Sequence, residues 1–351
     1  MNNYLYTYSN EANVTISKFH ICTWDLGNKD ASVEIGVCIP KTDELPDHFY
    51  VYVFAPFLNT NCKCESLHEK FTNAENFKFI FNEKQTGTDN LGDNGRDGHI
   101  VRYEVNGQPK SMAVLKANEV LGDGYIKFSM TKVNGDYDCL YCRVYIETKV
   151  ISLADVSSSI SKKIYKYDFK INESRNRSNE VLNFIDQNAL HTVDVSKAYC
   201  LHCVPDDFEL SFSDARKLQS LRILEMDAFR RYLDSLNDVK GEYIIAFQRD
   251  ELSGSGSFFT TFSRERLGDR QLTFAMAANI LCNFLFAFSS WRNVDSSVTF
   301  SWRTIPYEWY VAFFIMLCCF AYCLSFFSYI KRLPKKCWNW IRRNWNGNTG
   351  H

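Results

Sequence analysis

The chain has 351 residues, 46% of them hydrophobic, and a formal net charge of −1. That length is too great for one small domain and enough for a sizeable buried core. From Gln271 onward 8 Lys and Arg stand against 2 acids, while the remainder carries 32 against 39, an acidic balance that argues against broad nucleic-acid binding and leaves a basic tail suited to an anionic lipid surface.

In chain order, Met1-Asn2-Asn3-Tyr4 provides no basic n-region and no apolar h-region follows, so no signal peptide is expected. The 13 cysteines accordingly read as thiols of a reducing compartment. Residues 1–150 read as β. Runs of strand length occur at Val14–Thr23, Ser32–Ile39, His48–Phe57, Phe77–Phe81, His99–Val105, Tyr125–Met130 and Asp138–Thr148, with turn signals such as Gly122-Asp123-Gly124 between them. Seven such runs predict an antiparallel, sandwich-like domain. Asp93 to Glu104 partly matches a calcium loop. Its third position, Gly95, brings no side-chain ligand, and an acidic hairpin turn fits better. The pairs Cys139/Cys142 and Cys200/Cys203, with His202, could supply four zinc thiolates, but residues three apart on a strand face opposite ways, which favours buried structural thiols and no metal.

Residues 151–262 read as mixed α/β: a strand at Ile164–Ile171, a short helix at Asn179–Gln187, a longer helix at Ser213–Leu236 with Ser213 as N-cap, a strand at Tyr243–Phe247 and a flexible loop at Ser253–Ser257. The densest basic stretch outside the C-terminal region holds Lys162, Lys163, Lys166, Lys170, Arg175 and Arg177. As a strand it puts Tyr165, Tyr167, Phe169 and Ile171 on one face and Lys166, Asp168 and Lys170 on the other. Either this is a half-buried strand with a solvated face, or it is a ligand-binding groove with cations on phosphates and tyrosines stacked on bases.

After a linker at 263–271, two apolar segments at 272–290 and 309–330 are expected to form a transmembrane hairpin, separated by an external loop at 291–308 and followed by a basic tail at 331–351. Six of the seven tryptophans lie in this region, as at a membrane boundary. The positive-inside rule places both termini in the cytosol. Asn279 and Asn283, extended by Ser290, form a polar stripe expected either to line a pore or to brace helix contacts in a homo-oligomer. The expected fold class is therefore α+β: a β-rich cytosolic region, a mixed α/β segment and a C-terminal two-helix membrane hairpin.

The chain contains no GxxxxGK[ST], strand-linked GxGxxG, HExxH or GxSxG pattern. No enzyme and no cofactor are expected. In the layout of Gln271–Ile330 behind a sensing-type domain, the chain resembles membrane effectors of bacterial anti-phage systems, the Hailong-type channel effectors among them. The resemblance implies an oligomer, a tetramer in that family, gated by a nucleotide or single-stranded oligonucleotide and acting on the inner membrane. The competing expectation is a non-conducting, membrane-anchored binding or scaffold protein.

Overall fold

β-Branched and aromatic residues at two-residue spacing recur from the first residues onward, and most of them fold as strands. The computed structural model describes residues 3–25, 30–81, 83–92, 95–158, 162–224, 230, 232–233, 241–265 and nine helical residues between 276 and 314. The strands in chain order are β1 (Asn3–Ser9), β2 (Lys18–Trp24), β3 (Ser32–Pro40), β4 (His48–Phe54), β5 (Lys63–Ser66), β6 (Lys84–Leu91), β7 (Gly98–Val105), β8 (Gln108–Leu115), β9 (Asn118–Gly122), β10 (Tyr125–Thr131), β11 (Cys139–Glu147), β12 (Asp155–Ser158), β13 (Lys162–Ile171), β14 (His191–Thr192), β15 (Lys197–Pro205), β16 (Phe208–Ser213), β17 (Leu218–Ile223), β18 (Tyr243–Glu251) and β19 (Gly256–Glu265). Two α-helices, α1 (Ala74–Phe81) and α2 (Asn179–Gln187), and 3-10 turns at His68–Thr72 and Ser174–Asn176 complete the described elements.

The strands form two sheets. The first runs β16-β19-β13-β1-β4-β10-β9, with β12 and β14 added beside β13 and β1. The second runs β17-β18-β15-β2-β3-β11-β8-β7-β6, with β5 added beside β11. Three pairings are parallel, β1 with β13, β2 with β15 and β8 with β11. Leu5, Val51, Val53, Phe128, Phe169 and Ile171 of the first sheet share one apolar core with Phe19, Ile21, Ile35, Val37 and Val144 of the second. Each sheet also has an apolar outer face. That of the second is covered by the 3-10 turn and α1, through Leu67, Phe71, Phe77 and Ile80. That of the first is covered by α2, through Ile185, Val181 and Phe184.

The architecture corrects the expected fold class. Residues 3–265 form one β-rich unit, within Met1–Arg266, and each sheet joins a block of strands from after residue 150 to a block from before it, through β13 with β1 and β15 with β2. The helix expected over Ser213–Leu236 is not formed at its start. Leu218–Ile223 is strand β17, because the free edge of β18 offers its backbone partners and the Leu218, Leu221, Ile223 spacing does not hold it to a helix. Conversely, Phe77–Phe81 ends helix α1 rather than forming a strand. The Asn73 side-chain oxygen accepts from the amides of Glu75 and Asn76 and so starts the helix. The expected membrane hairpin is likewise not seen: among the described residues no helix is long and apolar enough to cross a membrane. Most of 266–351, including Ser290, lies outside the described residues. Asn279 and Asn283 are described, and both are helical and exposed.

Candidate ligand-binding cavity on the first sheet

The site begins with strand register. Tyr6 pairs directly with Phe54, and Phe54 with Tyr125, so β1, β4 and β10 place three rings side by side in one row across the outer face. Tyr8 and Tyr52 form the next row. Tyr4 sits one position before the first row, stacked on Tyr6 with centroids 6.4 Å apart. Gly122 faces Tyr125 across the β9–β10 hairpin, and a Cβ there would come 2.3 Å from the Tyr125 ring. Glycine is what lets that ring lie close over the hairpin.

Helix α2 forms the opposing wall. Ser178 caps it, accepting from the Val181 amide at 3.3 Å. Phe184 then meets Tyr125 at 4.9 Å and Phe54 at 5.6 Å between ring centroids. The helix does not seal the sheet. A cavity of about 560 Å³ remains, lined by Tyr4, Tyr6, Phe54, Tyr125 and Phe184, with Asp123 and Glu180 as its charged lining residues. Ligand sites have this size and this mixture of apolar wall and few polar groups.

One lining residue, Tyr6, and one residue next to the lining, Arg177, carry polar atoms without partners. The Tyr6 hydroxyl is buried without a hydrogen bond, as is Nε of Arg177. Burial, then the neighbouring Tyr4, pushes the Tyr6 phenol up to about 12 against the pull of Arg177, so it remains a donor at neutral pH. Arg177 also hydrogen-bonds Tyr8, which burial raises. A buried polar group without a partner is uncommon because it forfeits its hydration.

The structure brings part of the expected basic set to this cavity. Tyr4 of β1 is in register with Lys170 of β13, and Lys170 Nζ lies 5.2 Å from the Tyr4 ring centre. Lys170 also pairs with Asp168 at 3.3 Å. Partial desolvation lowers its pKa, and the Asp168 carboxylate and Tyr4 outweigh that, leaving it raised. Arg175 is turned to Glu173 at 2.9 Å, and Lys162 to Glu265 at 3.9 Å. Lys166 is two residues along the strand from Asp168, and Lys163 is on the opposite side, with Tyr165 and Tyr167. Thus Lys170 meets the lining residue Tyr4, and Arg177 meets Tyr8 and acts on Tyr6, while neither is itself in the lining and the other four turn elsewhere. The sequence reading missed Tyr4, Tyr6, Phe54, Tyr125, Phe184, Asp123 and Glu180 as site residues. The Tyr4-x-Tyr6-x-Tyr8 alternation was the available signal.

The cysteine pairs behave as buried thiols. Cys142 and Cys200 belong to the core between the sheets, Cys139 and Cys203 to the outer core of the second sheet. Among the described residues no group of three or more His, Cys, Asp or Glu side chains is placed to hold a metal ion. β6 and β7 pair as a hairpin that closes at Leu91 with Gly98, and Asp93 of the calcium-loop match lies outside the described residues.

No family model matches the chain, and no curated protein is significantly similar to it.

Proposed function

We propose that the 3–265 unit is a binding module for a nucleotide-like ligand, with a flat ring held among the aromatic side chains and an anionic group near Lys170 and Arg177. The observation that carries this reading is the join between two features. The register of β1 with β13 puts Lys170 beside Tyr4, which lines a cavity together with Tyr6, whose hydroxyl is buried and unpartnered, and Arg177 precedes the lining residue Ser178 with its own Nε unpartnered. Ring stacking on aromatic side chains contributes about 1–3 kcal/mol per base, and Arg and Lys are the usual phosphate partners. The neutralising contact of Lys170 with Asp168 leaves Arg177 as the stronger anion contact.

Titration calorimetry of the full-length protein with nucleoside monophosphates tests the reading. Nucleoside monophosphates should bind more tightly than the matching nucleosides, and inorganic phosphate should bind weakly. Phe184→Ala and Arg177→Ala should each weaken the monophosphate at least severalfold. Absence of binding by every monophosphate, or binding untouched by Phe184→Ala, would overturn it.

A further inference from the structure

We infer that the cavity selects rings that present an exocyclic amine, reading the amine with the carboxylates of Asp123 and Glu180. The inference rests on the ligand class proposed above and adds to it the edge of the ring that is recognised.

The outer face changes polarity across the sheet. In sheet order the outer face presents Lys170 on β13, Tyr4 and Tyr6 on β1, Phe54 on β4 and Tyr125 on β10. Beyond Tyr125 comes Asp123, in the turn that closes the β9–β10 hairpin. Three strand intervals at about 4.8 Å put β10 roughly 14 Å from β13. The cationic side chain is thus at one side of the aromatic row and a carboxylate at the other. A molecule with its anionic group toward Lys170 and Arg177 extends its ring over Tyr6, Phe54 and Tyr125, and its far edge arrives at Asp123. Glu180 joins the lining from the first turn of α2.

An ionised carboxylate accepts hydrogen bonds and donates none. It therefore favours a ring edge that carries N–H donors and disfavours one that presents a carbonyl oxygen in the same place. Acidic side chains read the cytosine amino group in this way. The aromatic walls tolerate any flat ring, so discrimination falls to these two side chains. Tyr6, 5% exposed as a residue and with a buried, unpartnered hydroxyl, supplies an independent sign that the cavity is built for a polar occupant.

Two ligand pairs test the amine, the first by the amine alone and the second by the amine together with the protonation of the adjacent ring nitrogen. Guanosine and inosine monophosphates differ by one amino group, and cytidine and uridine monophosphates differ by amine against carbonyl. With the full-length protein, the amino-bearing member of each pair should bind about tenfold more tightly, as expected for a hydrogen bond to a charged group. Asp123→Asn and Glu180→Gln change exposed residues, and circular dichroism should show both folded. At least one of them should bring the ratios toward unity, because an amide can donate to the carbonyl that the carboxylate repels. Equal binding within both pairs, or ratios unchanged in both variants, would overturn the inference while the binding-module reading stands. Failure of all four nucleotides to bind would remove both.

Discussion

The two outer faces of this fold are built alike and finished differently. Each sheet turns an apolar face outward and covers it with one short helix, α1 on the second sheet and α2 on the first. On the second sheet a buried polar cluster beneath the cover is matched in charge, although Nη2 of Arg143 meets Glu34 as an ion pair without an aligned hydrogen bond. Glu34, fully buried, accepts from Trp24 Nε1 at 2.7 Å through one oxygen. Its other oxygen takes the Tyr232 hydroxyl at 2.7 Å and Nε of Arg143 at 2.6 Å, with Nη2 of Arg143 also at 2.6 Å as an ion pair. Tyr141 and His20 close the group, 2.8 Å apart. On the first sheet the cover leaves space, and the Tyr6 hydroxyl and Arg177 Nε stay unmatched. Internally matched charge specifies structure. Unmatched polarity beside a cavity leaves interactions for something that is not part of the chain.

The largest expected effect is on the matched face. Arg143→Met leaves Glu34 buried without its counter-charge and should cost about 3–5 kcal/mol of stability, read by urea unfolding. Pairing it with Glu34→Leu should recover much of that loss, since the desolvated charge disappears as well. A cost below ~1 kcal/mol for Arg143→Met alone would show that the two faces do not differ as argued.

Acid sharpens the same contrast, because the histidines that resist protonation are packed away from the cavity. Burial pushes His202 down to about 3 from its ordinary 6.5. Burial lowers His20 too, aided by Arg143 and Lys18, and it lowers His68 and His99 despite the opposing charge of Glu69. A histidine whose folded-state pKa is depressed binds fewer protons folded than unfolded. Its stabilisation is therefore complete above the unfolded pKa and is lost as pH falls from about 6.5 toward 3. For His202 alone the loss should reach about 2 kcal/mol by pH 5, at about 1.36 kcal/mol per pH unit. Urea unfolding at pH 7, 6 and 5 should show that decline, and His202→Gln should flatten it while keeping a hydrogen bond within reach of Thr23, which His202 Nδ1 meets at 2.8 Å.

The matched and unmatched faces were not equally legible in the sequence. Strands β3, β4, β7, β10 and β11 and helix α2 fall close to the expected runs, because two-residue alternation and a Ser178 cap are local signals. Strand β17 was missed because Leu218, Leu221 and Ile223 suit either period and the deciding partner, β18, lies more than 20 residues on. The basic strand was read correctly as a strand with Lys166 and Lys170 on one face. That Lys170 would stand beside Tyr4 was not readable, since this depends on a parallel pairing between strands some 160 residues apart. The Glu34–Arg143 pair, 109 residues apart, was invisible for the same reason. Periodicity specifies faces, and register across distant strands assembles sites.

A smaller effect is expected where backbone and cavity meet. In Gly122→Ala the new Cβ falls 2.3 Å from the Tyr125 ring. Tyr125 is only partly buried and can swing aside, so stability should drop by no more than ~1 kcal/mol. The displaced ring no longer completes the row with Tyr6 and Phe54, and binding of a nucleoside monophosphate should weaken severalfold more than stability suggests. Loss of both in proportion would mean that the ring is only a packing element.

The smallest change in stability should come from Tyr6→Phe, and it separates the two faces most cleanly. Removing a hydroxyl that has no partner costs the free protein no hydrogen bond, and it relieves the burial of an unpaired polar atom. Unfolding stability should therefore stay within ~0.5 kcal/mol of the parent or rise slightly. On the other face, Tyr232→Phe removes a hydroxyl that donates to Glu34 at 2.7 Å, and it should cost about 1–3 kcal/mol because a buried carboxylate oxygen loses a donor. Binding should move in the opposite sense. Tyr6→Phe should weaken a monophosphate severalfold, since the hydroxyl is held as a donor beside the cavity, whereas Tyr232→Phe should leave affinity unchanged. Urea unfolding and calorimetry on the same two variants give a crossed pattern if one face stabilises and the other binds. Parallel losses would instead make both hydroxyls structural.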